Sequence, residues 1–157
     1  MSINDEAIDS LTTAMNSLLP DVGDPVLQPI LIIQPDRIIP TGISGFIGFN
    51  RDPVGDILGR RIEATVELLV KASNILALGN KVNKITHAFL GTERKTLLEL
   101  GILIITLDEM GPVSKDKDDS HKIVEQDLKF KVLYEFLKRP EEPDDLIREI
   151  PINLNVS

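Results

Sequence analysis

The side chains best suited to chemistry in this sequence are two histidines, His87 and His121, two adjacent arginines, Arg60 and Arg61, and several carboxylate runs. A histidine can move protons near neutrality or ligate a metal, but a metal site needs a second ligand at a fixed offset. Neither His87 nor His121 has another histidine or a helix-spaced carboxylate beside it, so both read as solvated side chains. Asp116, Asp118 and Asp119 resemble a fragment of a calcium loop, yet the glycine and the distal bidentate glutamate of such a loop are missing. Glu141-Glu142 and Asp144-Asp145 stand among prolines, where nothing can bury them. An acid catalyst needs a raised pKa, so these pairs serve solvation. The sequence holds no Gly-x-Ser-x-Gly elbow and no Gly-x-x-x-x-Gly-Lys-Ser/Thr phosphate loop. Gly42, Gly45 and Gly48 lack the dinucleotide-binding spacing, and no helix signal follows at once; turn and edge chemistry explains them better.

Arg60-Arg61 is the sharpest basic feature, placed just after Gly59 at the start of a strong strand pattern. A guanidinium fork recognises a carboxylate or a phosphate, so the pair suits a contact between subunits. A plain surface strand start is the competing reading. Lys115, Lys117, His121 and Arg148 complete the set of candidate subunit or partner contacts. No catalytic residue, no cofactor and no metal site is expected, and the chain is read as a non-enzyme.

Length and composition set what must position these groups. The chain has 157 residues, about one domain, with 42% hydrophobic and 27% charged residues, a globular balance. Aromatics make up 4% and tryptophan is absent, so the core is aliphatic and stacking sites for sugars or bases are disfavoured. There is no cysteine, which excludes disulfides, thiolate metal sites and cysteine nucleophiles. The opening Met1-Ser2-Ile3-Asn4-Asp5-Glu6 is acidic and lacks the pattern of a signal peptide. Apolar runs such as Ile102 to Ile105 are strand-length, too short to span a membrane, so synthesis in a cytoplasm is expected. A net charge of −8 disfavours sequence-wide nucleic-acid binding. The same repulsion suits a wall past which DNA must slide.

The periodicities predict an α+β fold: a mixed, mainly antiparallel sheet with a central helix packed on one face and an N-terminal helix. Ile8, Leu11, Met15 and Leu18 fall at helical spacing and predict a helix over 4–19, capped by Asn4. Prolines 29, 35 and 40 confine the next stretch to short strands near 28–33 and 45–50. Asp52 to Asp56 reads as a turn. From Arg60 to Lys71, Ile62, Ala64, Val66, Leu68 and Val70 alternate with polar residues, the mark of a strand with one buried face. Ser73 or Asn74 then caps a helix over 74–90 with Leu78, Val82, Ile85 and Phe89 as its core stripe, and Lys81 and Lys84 outside. Thr92 is expected to cap a short helix ending at Gly101. The near-continuous apolar run Ile102 to Met110 predicts a strand that is central or covered on both faces. A solvated, mobile hairpin tip is expected over 111–121, and a long strand over 122–137 follows with Val124, Leu128, Phe130, Val132, Tyr134 and Phe136 inward. Residues 140–157 read as a C-terminal arm, alternating from Leu146 to Val156, and 26–56 as an insertion of short strands in a single domain.

This order resembles the tail terminator, or tail completion, proteins of tailed bacteriophages. The likeness is carried by Arg60-Arg61-Ile62-Glu63-Ala64-Thr65-Val66-Glu67-Leu68-Leu69-Val70, the helix after it, and the hairpin ending Phe130-Lys131-Val132-Leu133-Tyr134-Glu135-Phe136. It spans roughly Asn4 to Arg139 and transfers no individual functional residue. The resemblance implies a virion protein forming a homohexameric ring that caps the tail tube and joins the tail to the head connector. Its partners would be copies of itself, the tail tube and sheath or neck proteins, with DNA passing through the lumen without specific binding and no membrane. Two other classes compete: a small-molecule-binding or regulatory α+β dimer with a pocket between helix 74–90 and the sheet, and a small enzyme whose carboxylates meet only in the fold.

Overall fold

The computed structural model describes residues 2–41, 46–51, 54–115 and 123–138. The chain divides into two compact units, Met1–Ile39 with Arg61–Phe136, and Pro40–Arg60 with Leu137–Ser157. The elements in chain order are α1 (Ile3–Leu18), β1 (Ile30–Pro40), β2 (Phe46–Arg51), β3 (Val54–Ala72), α2 (Ile75–Gly91), α3 (Arg94–Glu99), β4 (Ile102–Met110), β5 (Ser114–Lys115) and β6 (Val124–Lys138). The fold is α+β, as the periodicities predict.

In the larger unit the strands lie in the order β1-β3-β6-β4. Strands β4 and β6 form the expected antiparallel hairpin, from Ile102 opposite Tyr134 to Met110 opposite Leu128. Side-chain pairs show the same sense between β3 and β6: Arg61 meets Glu135 and Thr65 meets Lys131, so one number falls as the other rises. The alternation in β3 is borne out, with Ile62, Ala64, Val66, Leu68, Val70 and Ala72 all buried. In β6 it is Val124, Leu128, Phe130, Val132 and Tyr134 that turn inward.

Both long helices cover this buried face. The Ser10 hydroxyl hydrogen-bonds the Tyr134 hydroxyl, which fixes α1 on the side to which Tyr134 points. Phe89 of α2 packs on Phe130 with ring centroids 4.8 Å apart at 58°, a tilted aromatic pair on that same side. Ala7, Leu11, Ala14 and Met15 of α1 and Leu78, Val82, Ile85 and Phe89 of α2 fill the layer between. The space under α2 is therefore closed core. A ligand pocket between this helix and the sheet, required by the regulatory-dimer reading, is occupied by these side chains.

Several local details differ from the sequence expectation. Helix α1 is capped by Ser2, whose Oγ accepts from the Asp5 amide at 3.2 Å, so the helix starts before Asn4. Strand β1 runs to Pro40, longer than expected, because an edge strand tolerates prolines. Strand β3 begins at Val54, which pairs with Arg51 in the smaller unit's β2/β3 hairpin, so Val54 to Asp56 belong to a strand rather than a turn. Asn74 caps α2, whereas Thr92 turns back to the Ala88 carbonyl and leaves Glu93 at the start of α3 without a side-chain cap. The expected mobile tip starts too early. Gly111 N donates to Asp127 O at 2.8 Å, Gln126 Nε2 donates to Gly111 O at 2.8 Å, and Ser114–Lys115 pair with β6. Residues 116–122 and the arm 140–157 lie outside the described residues.

Gly101 marks where geometry alone dictates the residue. Its φ of +90° is the left-handed region, and a Cβ there would sit 2.8 Å from Tyr134 Cε1 and 2.9 Å from Glu135 O. The glycine ends α3 and lets its carbonyl accept from Glu135 N at 2.9 Å, which starts the β4/β6 ladder.

Candidate functional site

The candidate contact residues do not converge. Arg61 Nε lies 3.1 Å from Glu135 Oε2, a half-exposed pair across β3 and β6. Arg60 Nη1 donates to the Gly59 carbonyl at 2.8 Å. Lys115 is exposed in β5, opposite Val124. Along β6, Glu135 and Val124 stand at opposite ends, so Arg61 and Lys115 are about 35 Å apart by strand rise. Lys117, His121 and Arg148 lie outside the described residues. His87 is exposed on α2, next to Gly91. Among the described residues no group of three or more histidine or carboxylate side chains could hold a metal ion.

Two features emerge that the sequence reading did not place. The first is Lys81. Expected outside, it is buried, and its ammonium is held by Asp24 Oδ2 at 2.8 Å, Lys71 O at 2.8 Å and Leu27 O at 3.2 Å. The sequence did carry a signal: Lys81 is three residues after Leu78 and four before Ile85, on the edge of the core stripe. Asp24 is held below the usual carboxylate range, first by the Lys81 hydrogen bond, then by the amides of Leu27 and Val26. All three ammonium donors have acceptors, so this is a clip that fastens the 21–28 segment to α2 and the end of β3.

The second feature is β4. Expected to be central or covered on both faces, it is the edge of the sheet path, and beyond Ile105 every residue of it is exposed. Ile104 is 52% exposed, Met110 47% and Leu107 36%. A continuous apolar run suggests burial on both faces, but among the described residues this strand has one neighbour, β6. Two β-bulges, at Leu103 and Asp108, bracket its regular stretch. Ile105 and Leu107 face the helix side, opposite Val132 and Phe130. Ile104 and Thr106 face the outer side, opposite Leu133 and Lys131.

The two ends of the sheet are built differently. Strand β1 carries Pro35 and Pro40 and places Asp36 and Arg37 at its surface, devices that discourage strand addition. Strand β4 contains no proline, lysine or arginine, and its charges are the two acids Asp108 and Glu109. The sheet's outer face is a polar row: Thr65 Oγ1 donates to Asp36 Oδ2 at 2.7 Å, and Lys131 Nζ donates to Thr65 Oγ1 at 2.7 Å. Strand β4 thus sets an aliphatic edge beside this polar, charged face.

No family model matches the sequence, and no curated protein matches it. Among solved structures, the chain is similar to one described as "Virion of native gene transfer agent (GTA) particle", at 11% identity and a TM-score of 0.37, over 83% of this chain and 92% of that chain. That is a partial overlap of backbone path and does not fix a shared fold. No helix among the described residues is long and apolar enough to cross a membrane.

Proposed function

We propose that the chain is a structural assembly subunit of a tailed virion: a ring that caps the tail tube, joins the tail to the head connector, and performs no catalysis. The observation that carries the reading is the open aliphatic edge of β4, set against the proline-blunted edge of β1. A long apolar edge is a liability in a monomer and an asset in an assembly. Head-to-tail contacts close into rings when the rotation between copies allows it. The order of α1, β3, α2 and the β4/β6 hairpin resembles the tail-terminator layout, which supports a ring at the end of the tail tube. The net charge of −8 suits a lumen through which DNA passes without sticking.

Electron microscopy of the particle that contains this chain is the test. The expected result is a closed ring of copies, probing for six, coaxial with the tail tube and lying between tube and connector. A monomer or dimer away from the tube axis, or a copy with a ligand seated under α2, overturns the reading.

A further inference from the structure

We propose that each copy seats an apolar tip, formed by Val26, Ile75 and Leu76, in a groove at the opposite end of α2 of the next copy, with Asp21 set towards Arg94. The inference rests on the ring reading for the identity of the partner and names a contact that joins one copy to the next.

Among the described residues Val26, Ile75 and Leu76 are the most exposed large apolar side chains, at 84%, 69% and 77%. Single exposed apolar residues are ordinary, but these three share one end of the larger unit. Ile75 and Leu76 open α2. The Lys81 ammonium holds the carbonyls of Leu27 and Lys71, and a helical side chain leans towards the N-terminus of its helix, so Val26 lies at that end too. The tip is also stiff. Asp24 Oδ1 accepts from the amides of Val26 and Leu27 at 3.1 Å, and Asp21 Oδ1 accepts from the amide of Gly23 at 2.8 Å. A loop ordered in advance loses little freedom when it docks.

The groove lies between Leu90 at the end of α2, Arg94 and Leu97 of α3, and Leu103, Ile104 and Ile105 of β4, with a volume of about 190 Å³. That is below the roughly 300 Å³ at which small-molecule pockets begin. An apolar cavity of about 150 Å³ takes a single benzene, so the groove suits one aliphatic side chain. From Leu76 to Leu90 the helix rises about 21 Å, so the tip of a chain cannot fill its own groove. A second copy can, and the contact is then head-to-tail, the kind that closes rings.

Charge and area agree with that occupant. The 21–27 segment carries Asp21 and Asp24 and no cation, whereas Arg94 is the charged side chain of the groove. Among the described residues neither Asp21 nor Arg94 has an ion pair. At roughly 100 Å² per large aliphatic side chain the tip covers no more than about 300 Å². A stable pair of proteins needs about 800 Å² on each side. The contact is therefore weak between two lone copies and gains strength in a closed ring, where every copy makes it twice beside the β4 edge.

The natural chain has no cysteine, so single substitutions read the contact. Leu76 and Leu90 are exposed, and Leu76→Cys and Leu90→Cys leave the core intact. The two full-length proteins are mixed at high concentration and oxidised, with Asp9→Cys, exposed on α1, in place of Leu90→Cys as the control. The expected result is a disulfide-linked pair of chains formed severalfold faster in the first mixture, and slowed both by added salt and by Arg94→Glu in the Leu90→Cys protein. Equal rates in the two mixtures, faster linkage of Leu76→Cys to itself, or a rate untouched by Arg94→Glu overturns the contact. So does a Leu90→Cys thiol that a maleimide cannot reach in the lone protein, since the groove then has another occupant. A coaxial ring in the particle without this link removes the contact and keeps the ring; the link without a ring does the reverse.

Discussion

Lys81 Nζ lies 2.8 Å from Asp24 Oδ2, inside a shell completed by the carbonyls of Lys71 and Leu27. A buried ammonium is stable only while its acceptors are present. Lys81→Ala removes the donor and strands two carbonyls, and should cost about 1–3 kcal/mol by urea melting. Lys81→Met keeps the packing of the stem, so a smaller loss than for alanine would separate packing from hydrogen bonding. The clip also has a pH signature. Asp24 has its folded pKa below the ordinary 3.8, so its contribution is present above that value and is lost as pH falls through the folded value. Melting temperatures of the natural protein and Asp24→Asn should differ at neutral pH and converge in strong acid. A constant gap down to the lowest pH would show that the carboxylate charge is not what Lys81 uses.

Gly101 is the narrowest point of the fold. At φ +90° any L side chain is strained, and the space for a Cβ is taken by the Tyr134 ring and the Glu135 carbonyl. Gly101→Ala should therefore cost about 2 kcal/mol or more, well above a surface Gly→Ala change. Gly79→Ala is the control, since a Cβ there meets nothing within 4 Å and it sits in the interior of α2. That change should stabilise by roughly 0.5–1 kcal/mol. Equal melting shifts for the two variants would contradict the geometry.

The alternation of β3 and β6 makes a harder prediction. Val66 and Val132 both lie in the core, at 0% and 3% exposure. A lone carboxylate in that layer has no partner, so Val66→Asp and Val132→Asp should each abolish cooperative melting at neutral pH. Either variant melting cooperatively near the natural temperature would count against the register.

What the sequence made legible was the part governed by period. The buried sets of β3, β6 and α2 follow from residues two or nearly four apart, and the antiparallel hairpin follows from a strand, a Gly-Pro turn and a strand. What it hid was neighbourhood. Nothing within Ile102 to Met110 tells whether a second strand lies beside it, so an apolar edge read like a buried centre. Lys81 was hidden differently: its acceptors come from Asp24, Leu27 and Lys71, and only the fold brings those three together. Of the candidate contacts, Arg61 turned out to have a partner in its own chain, Glu135, 74 residues away.

That pair shapes the last prediction, which concerns assembly. Arg61 and Glu135 are partly exposed, so their ion pair contributes little to the fold, about 0–1 kcal/mol. Arg60→Glu with Arg61→Glu should therefore leave the monomer folded, with a small shift in melting caused by the like charge that Arg61→Glu sets beside Glu135. Ile104 is 52% exposed on the outer side of β4, so Ile104→Lys should likewise be tolerated by the fold. Their effects on association should differ. A lysine in the open edge obstructs strand addition, and Ile104→Lys should abolish ring formation on tails while far-ultraviolet circular dichroism and melting stay near the natural values. The arginine double variant should weaken assembly by degrees, in a manner sensitive to salt, because its effect is electrostatic. Counting capped tails by electron microscopy across a salt series reads both. Full capping by Ile104→Lys would show that β4 is not the joining edge, and a salt-independent loss in the arginine variant would show that those charges do not act between copies.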